Sequence, residues 1–91
     1  MYLVISYDIK SDRRRTKIHD VLKNYGERIQ YSVFECNISR KEYKELRQKL
    51  EPLIDVEATD NVRFYRLCGE CRKKTERIGG RTARENAAII V

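Results

Sequence analysis

The stretch that most constrains this chain is its first ten residues, MYLVISYDIK, in which an apolar run ends at a single acid. The segment from Tyr2 to Ile9 is short and contains β-branched residues, which is typical of a β-strand. Because successive side chains of a strand point to opposite faces, Leu3 and Ile5 fall on one face and Asp8 on the other. Both faces are apolar at the start, which predicts a central strand covered on at least one side.

A first helix is predicted directly after this strand. Ser11 or Asp12 can cap its N-terminus, and apolar residues then recur at helical spacing. Gly26 stands where a left-handed residue often ends a helix. Residues 13–15 are all arginine and fall in the first turn, where cations oppose the helix dipole. We therefore expect these arginines to meet an anion, which a helix N-terminus also attracts.

The middle of the chain predicts a hairpin followed by a second helix. Residues 28–38 have an extended pattern but are too polar for one ordinary strand, so a hairpin or a kinked strand centred on residues 30–32 fits better. Ser39 and Glu42 then have the spacing of a capping box. Pro52 should end or kink the helix that they begin.

The last third of the chain predicts a strand, a loop and an apolar tail. Alternation marks residues 62–68 as a strand, and residues 69–76 are predicted as a loop. Residues 87–91 form an apolar segment that needs a place to pack. A fifth strand, on its own sheet or on the edge of a partner's sheet, would provide one.

The order β-α-β-β-α-β with an extra C-terminal strand predicts an α+β fold of the ferredoxin-like type. This fold is an antiparallel sheet with both helices on one face. We expect a single domain over residues 1–91, with a core over about 1–68. The basic loop and C-terminal strand over about 69–91 are expected to contact a second copy or another partner.

The charge of the chain favours a polyanionic partner. Twenty basic residues against 14 acidic ones give a net charge of +6 and a pI of about 9.4, which suggests nucleic acid; the alternative is that the charge only serves solubility. The basic residues concentrate in residues 10–17 and 72–84, where arginine suits bidentate phosphate contact. The side chains that we expect to contact nucleic acid are Arg13, Arg14, Arg15, Lys17, Arg28, Arg72, Lys73, Lys74 and Arg77.

Several classes of protein do not fit the sequence. The apolar start is too short for a signal peptide, and no stretch is long enough to span a membrane, so we expect a cytoplasmic protein without membrane contact. Cys36, Cys68 and Cys71 are odd in number, which argues against a disulfide framework. The Cys68-x-x-Cys71 spacing is that of half a zinc site, but no further ligands lie at a motif spacing, so reduced thiols are the default interpretation and zinc is the alternative.

Asp8 is the candidate metal ligand. Mg²⁺ prefers carboxylate oxygen and keeps several waters, but one carboxylate alone makes a poor site. A two-fold dimer would supply a second Asp8 if the strand ends meet at the axis. The alternative is that Asp8 only caps a turn.

Three segments together resemble a known family. They are YDI at the end of the first strand, RRR-x-K shortly after it, and GERIQYSVFEC in the middle of the chain. In this combination the chain is similar to the CRISPR-associated endonuclease family, the smaller of the two core spacer-acquisition proteins. The resemblance implies ferredoxin-like homodimers that act as metal-dependent nucleases on RNA or DNA. It also implies that they bridge dimers of the larger CRISPR integrase.

The resemblance also implies roles for individual residues. Asp8 matches the family's Mg²⁺ ligand. The other positions that match those implicated near the catalytic site are Tyr7, Arg15, Arg28 and Phe34, and Lys17 stands at a position that is arginine in the family. From the residues alone, Phe34 fits the core or an interface as well as a base-stacking role. His19 fits an ordinary helix position.

Two functions of different class remain open. One is a homodimeric Mg²⁺-dependent endonuclease that hydrolyses RNA or DNA at Asp8 during spacer acquisition. The other is a non-catalytic scaffold that binds the nucleic-acid backbone, with salt-sensitive and sequence-independent affinity, and docks the integrase. A ferredoxin-like RNA binder outside CRISPR systems is a third interpretation.

Overall fold

The computed structural model describes residues 1–80. Its strands are β1 (Tyr2–Asp8), β2 (Gly26–Gln30), β3 (Val33–Asn37) and β4 (Asn61–Leu67), and its helices are α1 (Asp12–Leu22), α2 (Arg40–Leu50) and α3 (Gly69–Lys73). The strands form one sheet in the order β2-β3-β1-β4, with each neighbouring pair antiparallel. This is the predicted ferredoxin-like arrangement, and the fold class is confirmed. The predicted strand over residues 87–91, with Arg81 and Arg84, lies outside the described residues.

The alternation of β1 produces the core. Leu3, Ile5 and Tyr7 are buried on the side of the sheet that carries α1 and α2, while Val4 and Ser6 on the other side are partly exposed. We call that second side the open face. The remaining buried apolar residues pack with them on the helix side, and they are Ile9, Ile18, Leu22, Tyr25, Phe34, Cys36, Ile38, Leu46 and Leu50.

The two long helices begin as predicted. The side chain of Ser11 caps α1 by accepting from the backbone N–H of Arg14 at 3.3 Å. At α2 the Ser39 hydroxyl accepts from the Glu42 N–H at 3.1 Å, and the Glu42 carboxylate accepts from the Ser39 N–H at 2.9 Å. This reciprocal pair satisfies two backbone donors of the first turn, so the predicted capping box is confirmed.

The prediction that Gly26 ends the first helix is wrong. Helix α1 ends at Leu22, and Gly26 is the first residue of β2. A Cβ atom at Gly26 would lie 2.2 Å from the Glu35 carbonyl oxygen and 2.6 Å from the Cys36 sulfur. Glycine is therefore required here because β3 passes so close to the backbone of β2.

The hairpin prediction for residues 28–38 is confirmed, with β2 and β3 joined by a turn at Tyr31 and Ser32. The backbone N–H of Tyr7 donates to the Ser32 carbonyl at 3.1 Å, which ties this turn to the central strand. The loop predicted after residue 68 is wrong, because a short helix, α3, forms there with Cys68 as its N-cap. Within residues 1–80, no helix is long and apolar enough to cross a membrane.

Candidate nucleic-acid interface

Asp8 stands at the end of the central strand on the open face. It pairs in register with Asn61 of β4, and its side chain is 63% exposed. One carboxylate oxygen accepts from the Lys10 ammonium at 3.2 Å. A solvent-exposed pair of this kind is weak, so this contact leaves the Asp8 carboxylate accessible to another cation.

Tyr7 lies on the opposite side of the sheet from Asp8, and it closes the floor of a groove between α1 and the β2–β3 turn. We call this the helix-side groove. It is open to solvent and has a volume of about 440 Å³, and its lining residues are Tyr7, Asp12, Arg15, Thr16, His19, Arg28 and Tyr31. Three predicted site residues, Tyr7, Arg15 and Arg28, therefore meet here, and Asp8 is not among the lining residues.

Arg15 is held rigidly at the edge of the groove. One guanidinium nitrogen donates to the Ile9 carbonyl at 2.8 Å, and another donates to the Asp12 carboxylate. The hydrogen bond to Asp12 is the largest cause of a raised Arg15 pKa; burial opposes it, and the nearby Tyr31 hydroxyl adds to it. Since guanidinium has five N–H donors, Arg15 keeps donors for a further anion while its orientation is fixed.

Arg28 and Tyr31 form the outer wall of the groove. The Arg28 guanidinium carbon lies 5.3 Å from the centre of the Tyr31 ring, a cation–π contact, and its Nε donates to the Gln30 carbonyl at 3.4 Å. The Tyr31 side chain is exposed, at 66% of its full accessibility. The groove thus presents an accessible aromatic ring beside two arginines.

The floor of the groove consists of Tyr7, whose hydroxyl lies above a buried aromatic ring. The Tyr7 hydroxyl donates to the Tyr31 carbonyl at 3.4 Å, and burial raises the pKa of this phenol, partly offset by Arg28. Phe34 is completely buried below, with its ring centre 6.3 Å from that of Tyr7 and 5.6 Å from that of His19. Phe34 is therefore a core residue, in agreement with the alternative reading of the sequence, and its burial excludes direct stacking on a base.

Arg14 is engaged in a buried cluster that the sequence did not predict. Its Nε donates to the Asp60 carboxylate at 2.9 Å, and the backbone N–H groups of Lys10 and Asp55 donate to the same carboxylate at 2.8 and 3.0 Å. The Asp60 side chain has no exposed surface. The Arg14 hydrogen bond is the largest cause of a strongly lowered Asp60 pKa, burial opposes it, and the two N–H groups add to it.

The Asp60 cluster positions the site, because it joins the β1–α1 junction to the segment that enters β4. The sequence signal that could have indicated a role for Asp60 is its position just before β4. The first residue of β4, Asn61, pairs with Asp8 at the end of β1. That Arg14 contacts nucleic acid through its remaining N–H groups stays a prediction.

The basic residues of the C-terminal segment are spread over different surroundings. Arg72 of α3 lies over the ring of Tyr2 on the open face, 4.7 Å from its centre. Lys73 pairs with Glu70 at 3.9 Å, and Arg77 donates to the Gly79 carbonyl at 2.8 Å. Lys74 on this segment, and Arg13 and Lys17 on α1, are exposed. Their contact with nucleic acid stays a prediction.

Beneath Arg72, the Tyr2 hydroxyl donates to the Glu35 carboxylate at 2.9 Å. Burial, followed by this hydrogen bond, raises the pKa of Tyr2 to about 12. Tyr2 is therefore a neutral hydrogen-bond donor at physiological pH, and it anchors α3 against the open face through Arg72.

The cysteines show reduced thiols within the described residues: Cys36 is buried, and Cys68 and Cys71 are exposed. The Cys71 N–H donates to the Cys68 sulfur at 3.4 Å. In residues 1–80 no group of three or more His, Cys, Asp or Glu side chains is placed to hold a metal ion. Within residues 1–80, Cys68 and Cys71 therefore have no third potential zinc ligand placed beside them, and both are free thiols.

The fold and this distribution of charge define a small basic α+β domain with one accessible carboxylate at the end of its central strand. The family model described as CRISPR associated protein Cas2 matches residues 1–75. The chain belongs to this family, and the family predicted from the sequence is confirmed.

Individual proteins support this placement. The chain is 51% identical over 79 residues to a protein of Chloroflexus aurantiacus named CRISPR-associated endoribonuclease Cas2 1, covering 87% of this chain and 85% of that protein. A solved hypothetical protein of Thermus thermophilus is 36% identical with a TM-score of 0.76, covering 91% of this chain and 96% of the other. A chain from a structure titled as a partial Cas6-RT-Cas1–Cas2 complex is 32% identical with a TM-score of 0.74, covering 99% and 98%.

Proposed function

We propose that this chain is a homodimeric, Mg²⁺-dependent endonuclease that hydrolyses RNA or DNA during CRISPR spacer acquisition. The observation that carries the proposal is the position of Asp8, an exposed carboxylate at the end of the central strand on the face without α1 and α2. The name of the Chloroflexus aurantiacus relative, an endoribonuclease, supports the same activity.

The donor set fits Mg²⁺ if two chains share the ion. Asp8 offers carboxylate oxygen, the donor that Mg²⁺ prefers, and this ion is commonly held by one or two carboxylates together with phosphate oxygens and water. Asp8 of a second copy would provide the other carboxylate. When bound, Mg²⁺ polarises a phosphoryl oxygen and lowers the pKa of coordinated water.

The chain's own residues have separate tasks in this proposal. Asp8 holds the ion, and Lys10, whose ammonium lies 3.2 Å from it, balances its charge until the ion and a phosphate arrive. Arg15 and Arg28 lie across the sheet from Asp8 of the same chain. From this position they are better placed to bind another phosphate of the nucleic-acid strand than to stabilise the charge that develops at the Asp8 site.

Replacement of Asp8 tests the proposal. Asp8→Ala should reduce Mg²⁺-dependent cleavage of RNA and DNA to background, while dimerisation and nucleic-acid binding stay at wild-type levels because the side chain is exposed. Asp20→Ala removes another exposed carboxylate, on α1, and serves as the matched control with wild-type cleavage. Cleavage by Asp8→Ala at the wild-type rate would disprove the assignment to this residue.

A non-catalytic scaffold is the second candidate, favoured by the likeness to a chain from a complex that contains Cas1. In this function the basic dimer binds the nucleic-acid backbone and bridges integrase dimers. Spacer acquisition in cells that carry Asp8→Ala separates the two functions: acquisition persists if the role is scaffolding and stops if cleavage is required. Truncation before Ala87 should weaken association with the integrase, and an unchanged complex would remove that segment from the docking role.

A further inference from the structure

The helix-side groove has the size and composition of a site for one nucleotide. Its volume of about 440 Å³ falls within the range of about 300–1,000 Å³ that is typical of small-ligand sites. The Tyr31 ring is exposed on its wall, and two arginines border that ring. Tyr7 closes the floor with a hydroxyl above a buried aromatic ring.

The ring of Tyr31 is suited to stacking. It stands at the tip of the β2–β3 turn with two thirds of its surface accessible, and the Arg28 guanidinium lies 5.3 Å from its centre. An aromatic ring of this kind accepts any base, because every base has a π-face. In a duplex the base faces are covered by their neighbours, so stacking on Tyr31 requires an unpaired or splayed-out nucleotide.

The two arginines are placed for the phosphate of the same nucleotide. Arg15 is oriented by the Ile9 carbonyl and by Asp12, and Arg28 by the Tyr31 ring and the Gln30 carbonyl. Side chains already fixed in position lose less freedom when they bind. Asp12 on the rim is 96% exposed and neutralises part of the Arg15 charge, which leaves Arg28 as the stronger phosphate contact.

We propose that the helix-side groove binds one unpaired nucleotide of a single-stranded nucleic acid, with its base on Tyr31 and its phosphate at Arg15 and Arg28. The site is separate from Asp8, because Tyr7 and Asp8 point to opposite faces of β1. The inference deepens the proposed function by naming the form of nucleic acid bound, but the groove binds whether or not Asp8 supports cleavage.

Binding of a fluorescein-labelled ten-nucleotide strand, without metal and with EDTA, tests the proposal. Tyr31→Ala should weaken binding about tenfold, and Tyr31→Phe, which keeps the stacking ring but loses the hydroxyl beside Arg15, should recover most of that loss. Arg28→Gln should weaken binding and reduce its salt dependence. Arg40→Gln, the charge-matched control on the exposed start of α2, should change affinity by less than about twofold.

Two further measurements separate stacking from charge or stability. A strand with a single 2-aminopurine should lose fluorescence on binding to the wild type and to Tyr31→Phe, but not to Tyr31→Ala. A duplex of equal length should bind Tyr31→Ala as it binds the wild type. Equal single-strand affinity of Tyr31→Ala and wild type, or an equal loss for duplex and single strand, overturns the proposal. The absence of metal makes either result independent of cleavage at Asp8.

Discussion

Arg14 and Asp60, 46 residues apart in sequence, form a hydrogen-bonded ion pair at 2.9 Å in which the carboxylate is fully buried. The same carboxylate accepts from the backbone N–H groups of Lys10 and Asp55. It thereby links the segment that follows Asp8 to the segment that precedes β4. Two residues without a predicted joint role thus connect the segment after Asp8 to the start of β4, whose first residue, Asn61, pairs with Asp8.

Removal of the Asp60 carboxylate should destabilise the fold. Asp60→Ala leaves the Arg14 guanidinium and two N–H groups without their partner, and loss of one member of a buried pair is strongly destabilising. We expect the melting temperature to fall by about 10 °C or more, measured by circular dichroism. Asp20→Ala removes an exposed carboxylate that forms surface pairs, and it should lower the melting temperature by no more than about 3 °C. Equal effects of the two substitutions would contradict the structural role of Asp60.

The lowered pKa of Asp60 predicts loss of stability in acid. A carboxyl group of the unfolded chain titrates near pH ~4, whereas the folded chain keeps Asp60 ionised to lower pH. Its contribution is therefore full above about pH 5 and declines as the pH falls below that value toward the lower folded pKa. Calorimetric melting temperatures should drop less steeply in acid for Asp60→Asn than for the wild type, and parallel curves would refute this assignment.

Gly26 should tolerate no side chain. A methyl group there would meet the Glu35 carbonyl oxygen at 2.2 Å, so β2 and β3 would have to separate. We expect Gly26→Ala to reduce the free energy of unfolding by about 1–3 kcal/mol, measured by urea titration. Gly69→Ala meets nothing within 4 Å and is the matched control, with a change within about 0.5 kcal/mol. Similar losses in both variants would exclude the close strand approach as the cause.

Tyr2 should ionise only at unusually high pH. Its pKa of about 12 lies above the ordinary value near ~10, so the neutral phenol is favoured in the folded chain. This contribution to stability is full below about pH 10 and is lost as the pH rises from there through the folded pKa. The difference in phenolate absorbance between wild type and Tyr2→Phe isolates this titration.

Removal of the Glu35 charge should make Tyr2 easier to ionise. Its hydrogen bond and negative charge both disfavour the phenolate, so Glu35→Gln should move the titration of Tyr2 toward its ordinary pKa. The matched comparison is Glu42→Gln on α2, away from Tyr2, which should leave that titration in place. An unchanged Tyr2 titration in Glu35→Gln would show that burial alone raises its pKa.

Local sequence rules predicted the parts of the fold that local interactions determine. The alternation of Leu3 and Ile5 defined the buried side of β1, and Ser39 with Glu42 defined the start of α2. The family resemblance grouped Tyr7, Arg15 and Arg28 with Asp8. The first three share the helix-side groove, whereas Asp8 lies on the open face of the sheet.

The features that sequence reasoning missed depend on contacts between distant segments. Asp60 gains its role only when β4 pairs with β1, and Tyr31 enters the groove only because the hairpin turn lies beside α1. Glycine is a residue type that often ends helices, but the role of Gly26 in this fold depends on how closely β3 approaches it. None of these contacts produces a periodic pattern of residues in the sequence.

Because Tyr7 and Asp8 point to opposite faces of β1, a change of one residue in the length of this strand alters which side chains face the core. Inserting or deleting one residue between Leu3 and Asp8 would exchange the two faces beyond that point, turning the carboxylate toward the core and the tyrosine toward solvent. A change of two residues would preserve the faces but move both side chains along the strand by about 7 Å. The length of this segment therefore matters as much as its composition, because the groove and the carboxylate depend on the same register of β1.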